Sequence, residues 1–231
     1  MPVRQSSNYW MPNLLEASVC TVSETNRRRG ASNRRVTAMH SHDDRLPLRI
    51  LAISGSLRQL SSNSALVQAA AELAPDGVEV RVYTQLAELP PFNPDLDGEQ
   101  PPAAVVQFRL ELDASEAVLI SCPEYAHGVP GTLKNALDWI VGSGEIVGKP
   151  VALVNAAPRA THAQASLAET LRVMSADLVD EASVVVPLSG RNLDASGIVG
   201  DRELSNAIRS ALVALGRRSN ASGRFQAGAD I

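Results

Sequence analysis

The chain has 231 residues, of which 45% are hydrophobic and only 3% aromatic, so it can build one core of ordinary size from aliphatic strands and alanine-rich helices. Its formal net charge of −4 and its pI near 5.6 exclude a basic footprint for nucleic acid or anionic lipid over the chain as a whole. No apolar run approaches the ~20 residues that cross a bilayer, and the two cysteines lie far apart, so we expect a cytoplasmic protein that binds neither nucleic acid nor membrane.

Residues 1–47 differ in composition from the rest of the chain. They carry a net charge of +3, against −7 for residues 48–231, and they show no sustained hydrophobic periodicity. Such a segment cannot bury enough apolar surface to offset the entropy of ordering it. We therefore predict a flexible N-terminal extension. A transit peptide is the alternative, which the acidic residues of the segment oppose, and both Met1 and Met39 are candidate start sites.

From residue 48 onward, strand patterns alternate with helical patterns about five times, as in βαβ units. The predicted strands are 48–54, 78–83, 117–121, 151–155 and 183–186. The predicted helices are 63–73, a segment presenting Val105, Phe108 and Leu112, 130–141, a segment marked by Leu167, Leu171 and Met174, and a last helix that Asp201 caps and Gly216 ends.

Parallel strands joined by right-handed crossovers, in this number, are usually arranged in the order 2-1-3-4-5. We therefore predict a three-layer α/β domain over residues 48–217, with a five-stranded parallel sheet of that order and helices on both faces. The C-terminal tail is predicted to be residues 218–231.

The loop after the first predicted strand leads directly into a helix start, where unpaired N–H groups and the helix dipole favour an anion. Its glycine permits close backbone approach, and its hydroxyl, amide and guanidinium groups are donors. The candidate residues are Ser54, Gly55, Ser56, Arg58, Ser61 and Asn63. The loop lacks the Gly-Lys-Ser/Thr ending of a Walker loop, so we predict a phosphate monoester held statically, such as that of FMN. The alternative is an ordinary polar loop in which Asn63 only caps the helix.

A second loop follows the third predicted strand, with Pro-Glu-Tyr at 123–125 and Leu-Lys-Asn-Ala-Leu-Asp-Trp at 133–139. Together with Gly-Ser-x-Arg-x-x-Ser-x-Asn at 55–63, it resembles the NADPH-dependent FMN reductase family over most of residues 49–187. The resemblance implies a flavodoxin-like fold, FMN and NADPH as cofactors, and a homodimer or homotetramer. It also implies that the FMN phosphate is held by Ser56, Arg58, Ser61 and Asn63, and that the isoalloxazine ring is bordered by Pro123, Glu124, Tyr125, Ala126, His127 and Gly128.

Chain topology supports the same place independently, because ligands of open α/β sheets bind beyond the carboxyl ends of the strands at the switch point. The chain departs from the family pattern at two places. Ala126 stands where the family usually has asparagine, and residues 155–162 lack the glycines common in the loop after the fourth strand.

The functional hypothesis is hydride transfer from NADPH to FMN, followed by electron delivery to free flavin, a quinone or another small acceptor, with no protein residue acting as acid or base and no metal. One alternative is a flavodoxin-like electron carrier without nicotinamide turnover, and another is a phosphate or nucleotide binder without redox chemistry.

Among single residues, Cys122 is interpreted as a small buried hydrophobe and Trp139 as a core or subunit-contact residue. Lys134 and Asp138 are interpreted as a surface ion pair.

Overall fold

A computed structural model of the chain describes the backbone of residues 47–226 and the side chains of residues 47–221. The predicted flexible extension, apart from Pro47, and the last five residues of the predicted tail lie outside this part of the chain.

Parallel strands in the order β2-β1-β3-β4-β5 form one five-stranded sheet, as predicted. The strands are β1 Leu48–Ser54, β2 Val78–Tyr83, β3 Ala117–Ser121, β4 Pro150–Leu153 and β5 Asp177–Leu178. The first three have the predicted bounds. Their branched aliphatic side chains suit a sheet that is covered on both faces.

Helices cover both faces of the sheet, which confirms the three-layer prediction. They are α1 Ser62–Glu72, α2 Ala103–Asp113, α3 Gly131–Asp138, α4 Thr161–Val173, α5 Ala195–Gly200 and α6 Arg202–Gln226. Successive residues of β1 face opposite layers, since Leu51 belongs to the buried cluster that includes α2, α3 and α4, whereas Ile50 belongs to the one that includes α1, α5 and α6. The chain runs from β1 to its neighbour β2 through α1 on one face and from β3 to β4 through α3 on the other, so the switch point of the sheet lies between β1 and β3.

The fifth strand differs from the prediction. Residues 183–186 do not form the fifth strand. Instead β5 consists of Asp177 and Leu178, which pair with the start of β4. A 3-10 turn at Asp180–Ala182 then interrupts the edge of the sheet, and the chain returns to make a single bridge between Val185 and Asn155. The Ser183 hydroxyl accepts the N–H of Leu153 at 3.1 Å in place of a ladder bond. An edge strand pairs with one neighbouring strand only. The hydrophobic pattern of the sequence therefore does not determine which of its residues pair with that neighbour.

The last helix also differs, because α6 does not end at Gly216 but continues to Gln226. A Cβ at position 216 would lie 3.3 Å from Leu48 Cδ2, so this glycine allows the helix to pass close to the start of β1. Beyond it, Arg218 Nη2 donates to Asp177 Oδ1 at 2.9 Å. The domain therefore extends past residue 217, and the predicted tail begins inside a helix. The predicted cap is confirmed, since Asp201 Oδ1 accepts the N–H groups of Glu203 and Leu204, both at 3.1 Å.

Other helix ends shift by a few residues. α3 ends at Asp138 rather than at residue 141, although Ile140 is still buried. α5 was not predicted, and it begins where the Asp194 carboxylate accepts the N–H of Gly197 at 2.8 Å. Within residues 47–226, no helix is both long enough and apolar enough to cross a membrane.

Candidate functional site

A cleft of about 240 Å³ lies at the carboxyl edge of the sheet, where the loops after β1, β3 and β4 converge. These loops and the segment before α5 contribute its lining. The lining residues are Ser56, Arg58, Ser61, Ser62, Asn63, Cys122, Pro123, Glu124, Tyr125, Ala156, Ala157, Ala160 and Ser189. Seven of the residues predicted from the sequence thus line one cleft, and Ser56 and Tyr125 are among them.

Ser54 and Gly55 lie behind this lining. The Gly55 N–H donates to the carbonyl of Ser121 at 2.8 Å and so extends the β1–β3 ladder by one bond. A Cβ on Gly55 would lie 3.0 Å from Leu133 Cδ2 and 3.2 Å from Pro123 Cδ, so the absence of a side chain keeps the first two loops in contact. The close approach predicted for Gly55 is therefore an approach to the neighbouring loop and helix.

The start of α1 presents unpaired donors to the cleft. Ser61 is the N-cap, and its hydroxyl accepts the N–H of Ser64 at 3.4 Å. The interpretation of Asn63 as the cap is therefore wrong, because Asn63 already lies within the helix. The N–H groups of Ser62 and Asn63 have no intrahelical acceptor and no other backbone acceptor in the described part of the chain. Together with the exposed Arg58, which makes no ion pair with another described residue, they are donors of the kind that bind an anion, and this group of donors is called the anion site below.

Asn63 is buried with 8% of its surface exposed, as are Ser56 and Ser61 in the same part of the cleft. Its Oδ1 accepts a hydrogen bond from the Ser121 hydroxyl at 2.9 Å. Its Nδ2 group makes no hydrogen bond with another described residue and is not a fully buried atom, so it is accessible from the cleft that Asn63 lines. An accessible amide donor is suited to an acceptor within the cleft.

The loop after β3 forms the opposite wall. Tyr125 and Gly128 exchange two backbone hydrogen bonds, of 3.1 and 2.9 Å, around a two-residue turn. Ala126 and His127 adopt left-handed backbone angles there, with φ of 49° and 61°. The turn directs these two residues and Gly128 away from the cleft lining, whereas Pro123, Glu124 and Tyr125 remain in it. Three of the six residues predicted to border a ring are therefore not part of the cleft surface.

The left-handed conformation explains why asparagine suits position 126, because asparagine tolerates positive φ better than alanine does. We expect Ala126→Asn to stabilise the protein by about 0.5–1 kcal/mol, because the left-handed backbone conformation costs alanine roughly 1 kcal/mol. Urea unfolding of the variant would measure the gain. Ala114→Asn is the control, because Ala114 has a right-handed φ of −71° and should gain nothing; equal gains at both positions would contradict this explanation.

Two contacts connect the β3–α3 loop to the start of α4. The Glu124 carboxylate accepts the N–H of Ala163 at 2.9 Å and so serves as the cap that Ala160, the N-cap residue of α4, cannot supply. The imidazole rings of His127 and His162 stack with their centroids 4.1 Å apart. Glu124 thus both lines the cleft and holds two of its loops together.

The segment 133–139, which resembles the family pattern, stabilises the fold. Asn135 Nδ2 and Trp139 Nε1 both donate to the carbonyl of Pro90, at 2.9 and 2.8 Å, and the N–H of Phe92 donates to Asn135 Oδ1 at 2.7 Å. These bonds hold the proline-rich connection between β2 and α2 against α3. Trp139 is 0% exposed, which confirms its interpretation as a core residue. Lys134 and Asp138 form the predicted ion pair.

Cys122 lies at the edge of the cleft but is 2% exposed. Burial raises the pKa of its thiol to about 12, with a smaller contribution from the nearby Glu124. The thiolate is the reactive form of cysteine, so this side chain behaves as the small buried hydrophobe that the sequence predicted.

Several lining residues were missed by the sequence analysis. Ala156, Ala157 and Ala160 lie in the β4–α4 loop, where the side chain of Asn155 accepts the N–H of Ala157 at 2.9 Å and donates to the carbonyl of Ala160 at 3.1 Å. None of its residues was predicted from the sequence as part of the site, although the loop was compared with the family pattern and the rule that ligands bind at strand carboxyl ends also applies to it. Ser189 carries no comparable signal. No group of three or more metal-ligating side chains occurs among the residues that the structure describes.

Comparisons with known proteins are consistent with this geometry. A family model described as NADPH-dependent FMN reductase matches residues 48–189. An NAD(P)H-dependent FMN reductase of Pseudomonas aeruginosa is 33% identical over 173 residues, which cover 73% of this chain and 93% of that protein. A quinone reductase of Pseudomonas putida is 40% identical over 116 residues, 48% of this chain and 61% of its own length.

A solved structure supports the flavodoxin-like fold. FerB, a flavoenzyme NAD(P)H:(acceptor) oxidoreductase from Paracoccus denitrificans, superposes with a TM-score of 0.65 at 26% identity, covering 74% of this chain and 98% of its own. The three-layer arrangement around the cleft is therefore that of a flavoenzyme with a flavodoxin-like fold.

Proposed function

Because the chain belongs to the NADPH-dependent FMN reductase family, we propose that its cleft holds FMN and that the protein passes electrons from NADPH to free flavin, a quinone or another small acceptor. When bound, FMN supplies the redox chemistry, since it accepts a hydride from the nicotinamide and returns the electrons to an acceptor. The single observation that carries the proposal is the convergence, in one cleft, of an anion site at the start of α1 and the wall formed by the β3–α3 loop.

The phosphate of FMN fits the anion site. Ser56, Ser61 and Asn63 supply neutral donors, Arg58 supplies a charge, and the first turn of α1 supplies backbone N–H groups. The loop offers no acidic side chain for a metal bridged to the phosphate, so it suits a monoester that is held rather than transferred.

In this proposal the flavin ring would be held by Tyr125 together with the small side chains of Ala156, Ala157 and Ala160, which line the same cleft. Tyr125 is 56% exposed, so its ring is available for stacking. The Glu124 carboxylate, which accepts the N–H of Ala163, holds the wall formed by the β3–α3 loop in place.

The task of the chain is to bind and orient, because hydride transfer to a flavin needs no protein acid or base. Purified protein mixed with NADPH in the absence of oxygen should lose its flavin absorbance near ~450 nm within seconds. A spectrum that stays oxidised would instead indicate an electron carrier without nicotinamide turnover. Colourless protein that does not take up added FMN would indicate a phosphate or nucleotide binder without redox chemistry.

We also propose that the protein acts in the cytoplasm as a homodimer or homotetramer. The support for an assembly is the apolar surface around the cleft, where Leu57, Leu60 and Tyr125 are all exposed. Exposed apolar patches of this kind mark surfaces that associate with a partner. Light scattering at several protein concentrations tests the assembly.

Arg58→Ala tests the phosphate assignment at one residue. We expect FMN affinity to fall by about 1.5–3 kcal/mol, because the variant loses one charge-assisted hydrogen bond to an anion. Titration of apoprotein with FMN at fixed ionic strength measures the loss. Arg172→Ala is the matched control, since Arg172 lies in the last turn of α4, away from the cleft lining. Equal affinities for wild type and Arg58→Ala would remove Arg58 from the site.

A further inference from the structure

The end of β3 contacts the first turn of α1 through one buried side-chain pair. Ser121 is 0% exposed, and its hydroxyl donates to Asn63 Oδ1 at 2.9 Å. The two residues are 58 positions apart in the sequence. Ser121 itself is not part of the cleft lining, whereas Asn63 is.

The backbone holds the Ser121 hydroxyl in register with the anion site. Ser121 pairs with Ser54 across the β1–β3 ladder, and its carbonyl accepts the N–H of Gly55 at 2.8 Å. The strand end therefore fixes the position of this hydroxyl relative to the loop that begins at Gly55.

An amide side chain has one end that donates and one that accepts, and only the donating end stabilises an anion. When the Ser121 hydroxyl donates to Oδ1, the Nδ2 group of Asn63 faces the cleft. Without that hydroxyl, Oδ1 becomes a buried acceptor with no donor as soon as Nδ2 turns towards a phosphate. The penalty then appears in the complex, where the amide has no freedom to turn towards water.

We propose that Ser121 is a positioning residue that presents the Asn63 amide as a donor and thereby makes the cleft prefer a phosphorylated flavin to an unphosphorylated one. This rests on the proposed function, in which the anion site holds the FMN phosphate. Ser121 acts through Asn63 and does not contact the flavin.

The experiment compares the binding of FMN and of riboflavin, which lacks the phosphate, to apoprotein by quenching of flavin fluorescence. Ser121→Ala should weaken FMN binding by about tenfold, as expected for one buried hydrogen bond, and should change riboflavin binding by less than about twofold. Ser115→Ala is the matched control. It also removes a buried serine hydroxyl, which donates to the carbonyl of Leu112, but it lies before β3 at the opposite end of the strand. It should leave both affinities unchanged.

A double-mutant cycle with Asn63→Ala separates positioning from a general structural effect. In the Asn63→Ala background, Ser121→Ala should leave the ratio of the two affinities unaltered, because no amide remains to be held. An equal loss for FMN and riboflavin, additive losses in the cycle, or an unchanged FMN affinity in Ser121→Ala would each overturn the proposal for Ser121 alone. If the wild-type protein does not prefer FMN to riboflavin, the assignment of the anion site to the FMN phosphate is wrong, and the proposed role of Ser121 is wrong as well.

Discussion

Asn63→Asp is expected to weaken FMN binding by about 3–4 kcal/mol, roughly a factor of 100 to 1,000. The variant replaces the unpartnered Nδ2 donor by a carboxylate oxygen at a position that is 8% exposed. Two negative groups then share a site where solvent screens them poorly, and one donor is lost as well. Asparagine and aspartate have nearly the same shape, so the change tests charge and hydrogen bonding rather than packing.

Titration of apoprotein with FMN and with riboflavin measures this effect, which should be confined to the phosphorylated flavin. Asn93→Asp is the matched control, because Asn93 caps a 3-10 turn through its Oδ1 atom, a role that a carboxylate retains. Equal losses for FMN and riboflavin would contradict an anion site at Asn63.

Trp139→Ala is expected to lower the free energy of unfolding by about 3–5 kcal/mol. The indole is 0% exposed, its Nε1 group donates to the carbonyl of Pro90 at 2.8 Å, and its ring meets that of Phe92 edge to face at 5.1 Å. Its removal leaves a large cavity and releases the β2–α2 connection from α3.

Urea unfolding followed by far-ultraviolet circular dichroism measures the change, and a melting temperature lower by about 10 °C should accompany it for a domain of this size. Trp139→Phe separates the two contributions. It keeps most of the ring and loses the hydrogen bond to Pro90, so a smaller loss of about 1–2 kcal/mol is expected. A loss below about 1 kcal/mol in Trp139→Ala would show that this region of the core is loosely packed.

The two loops that carry the site were predictable because each combines a strand end with a helix start. The runs at β1 and β3 are strongly apolar and end at polar, small residues, so their bounds were predicted correctly. Parallel topology then requires their carboxyl ends to lie at one edge. Side-chain direction was less predictable. His127 and Gly128 share the sequence neighbourhood of Tyr125, but the left-handed turn at Ala126 and His127 removes them from the cleft surface.

Hydrophobic periodicity and the chemistry of a strand-to-helix loop act over a few neighbouring residues, so they were enough to predict the layers of the domain and the two loops that line the cleft. Contacts between distant segments follow from the fold alone. Ser121 has no local motif, and its role depends on Asn63, 58 residues away. Gly216 has the residue type of a helix end, yet it serves a close approach to Leu48. The pairing of β5 depends on which residues β4 leaves available, and no local pattern specifies that choice.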